Sequence, residues 1–311
     1  MQPPHVLRVP GPPLVIEAAP LTREAFAPFG DVIENPRPHV HPSSVGGNSN
    51  TPSLPFDAVP ANQGSAIKYQ HVSRPVNLYD QAPSGRPGSA IMSVFVCAAR
   101  ARVMMMMPDP AAPTSAPGAG QPPPSPPPPS SDVTIKVSIL ERHPFTTQTF
   151  IPLPANPAAH YLVIVAPTLP SSDPTTIAGG DEAAAALPVP TRLPPSAAAA
   201  SYPRPLPGGG LPDVRRLRAF VATARQAVTY GAGTWHAPMV ALGEAGTAVD
   251  FVVAQFANGV GVEDCQEVVL ALDSSSSSST GHDGGAVWVK LKLKPGSLVV
   301  AGSRRTEMAK L

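Results

Sequence analysis

Apolar and polar residues alternate in short runs along most of the chain, and Gly, Pro and polar residues separate the runs. Side chains on a strand point alternately to opposite faces, so this pattern predicts short β-strands. The predicted strands are Ala66–Tyr69, Ser89–Ala98, Thr147–Leu153, Tyr161–Ala166, Ala227–Tyr230, Val249–Phe256 and Ala286–Leu293. Close spacing with few helices indicates a mainly β fold, either an antiparallel barrel or a sandwich.

Two short helices interrupt this pattern. Thr22 is a suitable N-cap for a helix that ends near Gly30 and leads into a strand at Asp31–Ile33. Val214–Ala222 has helical periodicity, with Leu217, Phe220 and Val221 on one side, and is predicted as an amphipathic helix. The run at Ser89–Ala98 is mostly β-branched and apolar, which predicts a strand buried on both faces.

Three low-complexity segments lie between the predicted strands. Residues 108–132 contain PPPSPPPPSS, residues 171–212 are rich in Ala, Pro and Gly, and residues 273–285 contain a serine run. Such compositions supply few core residues, so we expect disordered insertions, of which residues 108–132 are extended and polyproline-like. Because long loops close at little extra cost, the insertions are compatible with a single domain over residues 14–311.

Composition and charge exclude several functions. The 311 residues carry a net charge of +1, which argues against nucleic acid as a partner. No apolar run is long enough to cross a membrane, and the N-terminus does not resemble a secretory signal. Cys97 and Cys265 lack metal-binding spacing and are predicted as free thiols in a reducing compartment. The C-terminal Ala309-Lys310-Leu311 resembles a peroxisomal address, so we expect a cytoplasmic or peroxisomal protein.

Candidate chemistry is concentrated in two stretches. The first, ILERHPFTTQTFIPL at 139–153, places Glu141 and His143 on one face of a strand and Arg142 on the other. Burying such polar groups without a partner among apolar residues costs roughly 2–7 kcal/mol, so they must be paired or functional. The second, YGAGTWHAP at 230–238, delivers His236 after a glycine-rich turn. Together they predict one site.

The same blocks carry a family resemblance. LERHPFTTQTFIPL, LRAF, YGAGTWHAP and VDF, with LTREAFAPFGDVIE, NQG and GSAIMSVFVCAAR upstream, resemble the ureidoglycolate lyase family of allantoin breakdown, in its longer fungal form. The resemblance implies a cupin-like β-barrel, a homodimer, and elimination of urea from ureidoglycolate to give glyoxylate. It covers most of the chain outside the three low-complexity segments.

The chain also resembles, with departures, the frame in which cupin barrels often hold a divalent metal. Glu141 and His143 have the spacing of the first cupin histidine pair, Gln148 replaces the carboxylate, and His236 stands where the last histidine is expected. Replacing an anionic ligand by an amide weakens metal binding. These four residues are therefore predicted either to hold a weakly bound divalent ion such as Ni²⁺ or Mn²⁺, or to work without a metal.

The reaction implied by the resemblance needs a base, an acid and a clamp for the substrate carboxylate. His236 is the predicted base, and Glu141 or His143 the predicted acid. The predicted substrate-binding residues are Gln148, Lys68, Arg100 and Tyr230.

Two other functions remain open at this point. An amidohydrolase would release ammonia from the same substrate, but that chemistry usually needs a strong metal-hydroxide site. A non-catalytic cupin module could bind a small carboxylate and present its proline-rich insertion to SH3 or WW domains.

Overall fold

The structure is a computed structural model that describes residues 5–45, 53–100, 133–153, 157–170, 187–193, 204–244, 246–272 and 286–291. The strands are β1 His5–Val9, β2 Leu14–Pro20, β3 Gly30–Ile33, β4 Val59–Ala61, β5 Ala66–Lys68, β6 Ser89–Ala98, β7 Val133–Val137, β8 Ile139–Arg142, β9 Gln148–Pro152, β10 His160–Ala166, β11 Arg218–Thr223, β12 Ala227–Tyr230, β13 Trp235–His236, β14 Val240–Leu242, β15 Ala248–Ala257, β16 Gln266–Leu272 and β17 Val287–Leu291. The helices are α1 Arg23–Phe26 and α2 Gly261–Asp264. No helix in these ranges has the length and apolar character needed to span a bilayer.

The strands form two large sheets and a small ribbon. The ten-stranded sheet has the order β1-β16-β8-β13-β10-β11-β2-β17-β7, with β14 also paired to β10. The five-stranded sheet has the order β3-β12-β9-β15-β6, and β4 pairs with β5. Most pairs are antiparallel, but β1 with β16, and β2 with β11 and β17, are parallel. The mainly β, cupin-like fold expected from the sequence is confirmed, with a mixed rather than wholly antiparallel large sheet.

The two sheets face each other across an aromatic core. Phe150 and Phe251 of the small sheet contact each other edge to face, and Tyr161 of the large sheet packs against Phe251 with ring centroids 5.1 Å apart. A second core lies on the opposite face of the large sheet, where Trp235 is fully buried among aliphatic side chains. Strand β10 therefore contributes to both cores from alternate positions, as its strict alternation requires.

The predicted helix at Thr22 is confirmed, and the one at Val214–Ala222 is wrong. Thr22 Oγ1 accepts a hydrogen bond from the backbone N–H of Ala25 and so caps α1. Residues 214–216 form a single 3-10 turn, and β11 follows between β10 and β2. A short apolar run fits both periodicities. Strand pairing on both sides, with Ala219 and Phe220 entering opposite cores, decided the outcome.

Strand β6 has the predicted bounds but not the predicted burial. It is the edge of the small sheet and pairs with β15 along its full length. Met92, Val94 and Val96 are 80%, 64% and 71% exposed on one of its faces. An apolar run indicates a strand, but it does not indicate whether the strand is central or at an edge.

The low-complexity segment 171–212 is not wholly an insertion. Residues 187–193 and 204–212 belong to the described fold, and Arg204 is buried with an ion pair to Asp31. The carbonyls of residues 208–210 accept hydrogen bonds from Arg142. The expectation of disorder is therefore wrong for these two stretches. The segments 108–132 and 273–285 and the remainder of 171–212 lie outside the described residues.

Candidate functional site

The large sheet places His236 beside Glu141. The two residues are directly opposite in the antiparallel pair β13–β8. Directly opposite residues have Cβ atoms about 5 Å apart on the same face of a sheet. Nε2 of His236 lies 3.4 Å from Oε1 of Glu141. Strand pairing thus produces the contact between two residues that are far apart in the chain.

The small sheet supplies the opposing wall of the site. Gln148 on β9 is opposite Tyr230 on β12 and opposite Gln255 on β15, so the three side chains form one row across the sheet. The Tyr230 ring stacks on the His236 imidazole, with centroids 3.9 Å apart and planes 12° apart. The site therefore lies between the two sheets.

The hydrogen bonds of His236 define which nitrogen faces the site. Nδ1 lies 2.9 Å from the carbonyl oxygen of Thr234, which can only accept, so Nδ1 carries the proton and donates. Nε2 lies 3.2 Å from Oε1 of Gln148 and close to Oε1 of Glu141. Nε2 thus faces two oxygen atoms on the side of the site.

His143 has the same arrangement of donor and acceptor nitrogens as His236. Its Nδ1 lies 2.6 Å from the carbonyl oxygen of Asp264, so Nδ1–H donates and Nε2 retains its lone pair. Nε2 is buried and has no hydrogen-bond partner among the described residues. The His143 and His236 rings are 5.6 Å apart. A second nitrogen lone pair is therefore held, without a partner, in the buried site.

Burial and charge determine the protonation states. Burial raises the pKa of Glu141, but the hydrogen bond and positive charge of His236, with a contribution from His143, outweigh it, so that pKa is lowered overall. Burial lowers the pKa of His143 to about 4, and the charge of His236 acts in the same direction. At neutral pH Glu141 is ionised and His143 is neutral. Burial also raises the pKa of Tyr230 well above its ordinary value, so its hydroxyl stays protonated.

A glycine-rich turn delivers His236. Gly233 has φ +77°, a conformation that residues with a Cβ rarely adopt, and its N–H donates to the carbonyl of His143 at 2.9 Å. The N–H of Thr234 donates to the carbonyl of Gly231 and closes the turn. The turn is thereby fastened to the segment that carries the second histidine.

Arg142 points away from the site, as strand alternation predicted. It is fully buried, and its Nε donates to Oε1 of Gln266 at 2.8 Å. Its NH1 and NH2 groups donate to the carbonyls of residues 208–210, and the guanidinium lies over the Trp235 ring at 4.4 Å. Arg142 is thus a structural cation that joins β8 to the loop after residue 204.

Lys68 and Arg100, two of the predicted substrate-binding residues, lie elsewhere in the chain's fold. Lys68 is exposed at the end of β5 in the small ribbon. Arg100 is exposed and donates to the carbonyl of Lys136 at 3.1 Å. It lines a cavity of about 100 Å³ with Lys136, Ile164 and Ala237, and the last two belong to the core on the other face of the large sheet. The structure brings Glu141, His143, Gln148, Tyr230 and His236 together.

The donor set fits a divalent metal. One ligand atom each from Glu141, His143 and His236 lies within 4.8 Å of the others, and Oε1 of Gln148 adjoins them. Two imidazole nitrogens and two oxygens suit a borderline divalent ion, and the unpartnered Nε2 of His143 has the orientation of a ligand. Glu141 also lies near Cys265 and Glu267. Burial raises the pKa of Cys265 to about 12, so its thiol is protonated and a poor ligand.

Three residues that contact the site residues were not predicted from the sequence. Gln255 was detectable, because it is a polar residue in the apolar run AVDFVVAQFA. Thr234 and Asp264 act through backbone carbonyls, and no residue type predicts such a contact.

Comparisons with known proteins identify a family. A family model described as ureidoglycolate lyase matches residues 13–275. A ureidoglycolate lyase of Schizosaccharomyces pombe is 29% identical over 252 residues, which are 81% of this chain and 89% of the relative. One of Burkholderia mallei is 27% identical over 75% of this chain and 78% of its own. One of Saccharomyces cerevisiae is 33% identical over 36% of this chain and 38% of its own.

Proposed function

The chain belongs to the ureidoglycolate lyase family, and from this membership we propose that it eliminates urea from ureidoglycolate and leaves glyoxylate, in allantoin catabolism. The observation that supports this most directly is the convergence of Glu141 with the buried residues His143 and His236. The chain is accordingly a carbon–nitrogen lyase with a small-molecule substrate.

His236 has the geometry of the proton-transferring group. Ureidoglycolate carries a hydroxyl and a ureido nitrogen on one carbon, and elimination moves the hydroxyl proton to the departing nitrogen while the C–N bond breaks. We propose that Nε2 of His236 accepts the hydroxyl proton and returns it to the nitrogen of urea. Glu141, ionised at 3.4 Å, stabilises the imidazolium between the two transfers.

This assignment narrows the sequence prediction that Glu141 or His143 is the acid. Their lowered pKa values leave both groups without a proton to donate at neutral pH. His143 is suited instead to accept a hydrogen bond from the substrate or to bind a cation. The OH of Tyr230 and the amide of Gln148 are suited to orient the ureido group, since both lie beside the His236 ring.

We further propose a cation position bounded by Nε2 of His236, Nε2 of His143, Oε1 of Glu141 and Oε1 of Gln148. These four atoms would hold a divalent ion such as Ni²⁺. When bound, such an ion would supply Lewis acidity that favours ionisation of the substrate hydroxyl.

We also propose that the protein is a homodimer and that β6 forms the interface. This edge strand contains no charged residue and no proline, the features that usually protect an exposed edge from pairing. Its exposed face carries Met92, Val94 and Val96, and Ile151 of the same sheet is 41% exposed. A neutral apolar strand is complementary to a second copy of itself across a two-fold axis.

A product assay with purified protein tests the function. Ureidoglycolate should yield equal amounts of glyoxylate and urea, and ammonia without urea would instead identify an amidohydrolase. The assay repeated after chelation and dialysis tests whether turnover needs a metal ion in the cation position. Activity that survives chelation assigns turnover to the metal-free protein, and activity restored only by Ni²⁺ or Mn²⁺ assigns it to the metal-bound protein.

We propose a cytoplasmic or peroxisomal location from the sequence alone, since Ala309-Lys310-Leu311 lies outside the described residues. A fluorescent protein fused upstream of the chain, with and without this tripeptide, tests peroxisomal import against a cytosolic location.

A further inference from the structure

Gln255 contacts the site through a single residue. It lies directly opposite Gln148 in the pair of β15 with β9. Nε2 of Gln148 donates to Oε1 of Gln255 at 2.7 Å. Within the described part of the chain this is the only hydrogen bond of the Gln255 side chain. Any effect of Gln255 on the site is therefore expected to pass through the amide of Gln148.

With Gln255 as the acceptor, this hydrogen bond fits only one orientation of the Gln148 amide. A primary amide has an accepting oxygen at one end and a donating NH₂ group at the other. Because Gln255 accepts, the NH₂ group of Gln148 is turned towards it and the oxygen lies 3.2 Å from Nε2 of His236. Rotating Gln148 alone would place two oxygens 2.7 Å apart, which is repulsive.

The opposite polarity would have a different consequence. If Gln255 donated instead, the NH₂ group of Gln148 would point at Nε2 of His236 and occupy its lone pair. The cation position would then face an amide hydrogen and would repel a metal ion. The direction of one hydrogen bond between two uncharged side chains thus decides whether this position can bind a cation.

We propose that Gln255 is a positioning residue, which fixes the carbonyl oxygen of Gln148 on the cation position and so gives that position its affinity for a divalent ion. This inference rests on the cation position proposed above. The ion is of the class that takes mixed nitrogen and oxygen ligands, and Ni²⁺ serves as the probe. Gln255 itself contacts neither the ion nor the substrate.

Calorimetric titration of the metal-free protein with Ni²⁺ tests the proposal. Gln255→Met keeps the size of the side chain and removes the acceptor, and it should weaken Ni²⁺ binding about 10–100-fold, as loss of outer-shell partners does. Gln255→Glu can only accept, so it should bind Ni²⁺ at least as tightly as the wild type. Equal affinity in Gln255→Met, or weakened affinity in Gln255→Glu, would overturn the proposal.

A double-mutant cycle separates the amide contact from the charge that glutamate adds. In a Gln148→Met background neither Gln255→Met nor Gln255→Glu should change Ni²⁺ affinity further, because the residue that transmits the effect is gone. A further change there contradicts action through Gln148. Circular dichroism and thermal unfolding establish that each variant is folded.

Urea release measured on the same preparations distinguishes this inference from the proposed function. A wild type that releases urea but binds no Ni²⁺ retains the lyase function and overturns the role of Gln255. A wild type with the expected order of Ni²⁺ affinities but no urea release retains the role of Gln255 and overturns the lyase function.

Discussion

At the residue scale, the site depends on two imidazoles held in the same tautomer. The backbone carbonyls of Thr234 and Asp264 accept hydrogen bonds from the Nδ1–H groups of His236 and His143. Both Nε2 atoms therefore face the space between the sheets. Glu141 and Gln148 add two oxygens to that space. The orientation and tautomer of both imidazoles are therefore determined by backbone carbonyl groups, which any residue could supply.

Replacement of His236 tests the proton-transfer assignment. His236→Asn should lower kcat by roughly 10²–10⁴, because an amide cannot accept and return the hydroxyl proton. Steady-state urea release measures the effect, and thermal unfolding shows whether the variant is folded. His160→Asn, a histidine on β10 away from the cluster, is the matched control and should retain wild-type turnover. A folded His236→Asn enzyme with normal kcat would exclude His236 as the base.

The buried His143 should make stability depend on pH. Its pKa is about 4 in the folded protein and about 6.5 when unfolded, so the unfolded state binds more protons between these values. The free energy of unfolding is unaffected by this group above about pH 6.5 and should fall by up to about 3 kcal/mol as the pH drops to about 4.

Guanidinium denaturation at intervals across this pH range measures that slope. His143→Gln removes the titrating group and should flatten the profile, whereas the His160→Asn control should keep it. An unchanged slope in His143→Gln would mean that another group causes the pH dependence.

At the element scale, the strands differ in whether they are paired on one side or on both sides. Most strands of the small sheet are paired on both sides, whereas β6 is paired only with β15. Its outward face is apolar along its length, with Met92 as the most exposed large hydrophobic residue of the described chain. Exposed apolar edges in a monomer favour association, and pairing of β6 with a second copy of the chain would cover this edge.

Charge placed on β6 should separate the proposed dimer. Val94→Lys introduces the kind of residue that natural edges use to prevent pairing, and the variant should sediment at the monomer mass of 32.0 kDa while the wild type sediments at twice that mass. Val262→Lys on α2, also an exposed valine, adds the same charge elsewhere and should stay dimeric. A monomeric wild type, or a dimeric Val94→Lys, would remove β6 as the interface.

At the scale of the whole molecule, Arg142 connects parts that are distant in sequence. It joins β8 to Gln266 on β16, to Trp235 on β13 and to the loop at residues 208–210. Trp235 Nε1 donates to the carbonyl of Gly210 and fastens the same loop. The residues next to Glu141 and His236 in sequence thus hold together the framework behind the site.

Removal of Arg142 should loosen that framework. Arg142→Met leaves buried acceptors without a donor, and the free energy of unfolding should fall by about 3 kcal/mol, since each unsatisfied group costs about 1–3 kcal/mol. Hydrogen exchange should also show faster exchange in the loop at residues 204–212. Arg225→Met, an exposed arginine, should change neither quantity. Unchanged exchange in the Arg142 variant would show that the loop is held by other contacts.

The sequence by itself predicted many of the strands and most residues of the candidate site. Alternation of apolar and polar positions located β6, β9, β10, β12, β15 and β17, and alternation also placed Glu141 and His143 opposite to Arg142. These features depend on the two-residue period of a strand, which is local. Polar residues in apolar runs were informative because burying them without partners is costly.

Only the tertiary structure decided which strand is an edge, which face is buried and which distant residues meet. The run at 214–222 fits a helix or a strand, and pairing with β10 and β2 made it a strand. Burial of β6 and the positions of Lys68 and Arg100 depend on sheet order, and a single sequence does not encode that order locally. The orientation of both histidines depends on the carbonyls of Thr234 and Asp264, and backbone carbonyls are chemically alike in every residue. The elements are therefore readable from local periodicity, whereas the chemistry of the site is set by contacts that form only when the two sheets pack.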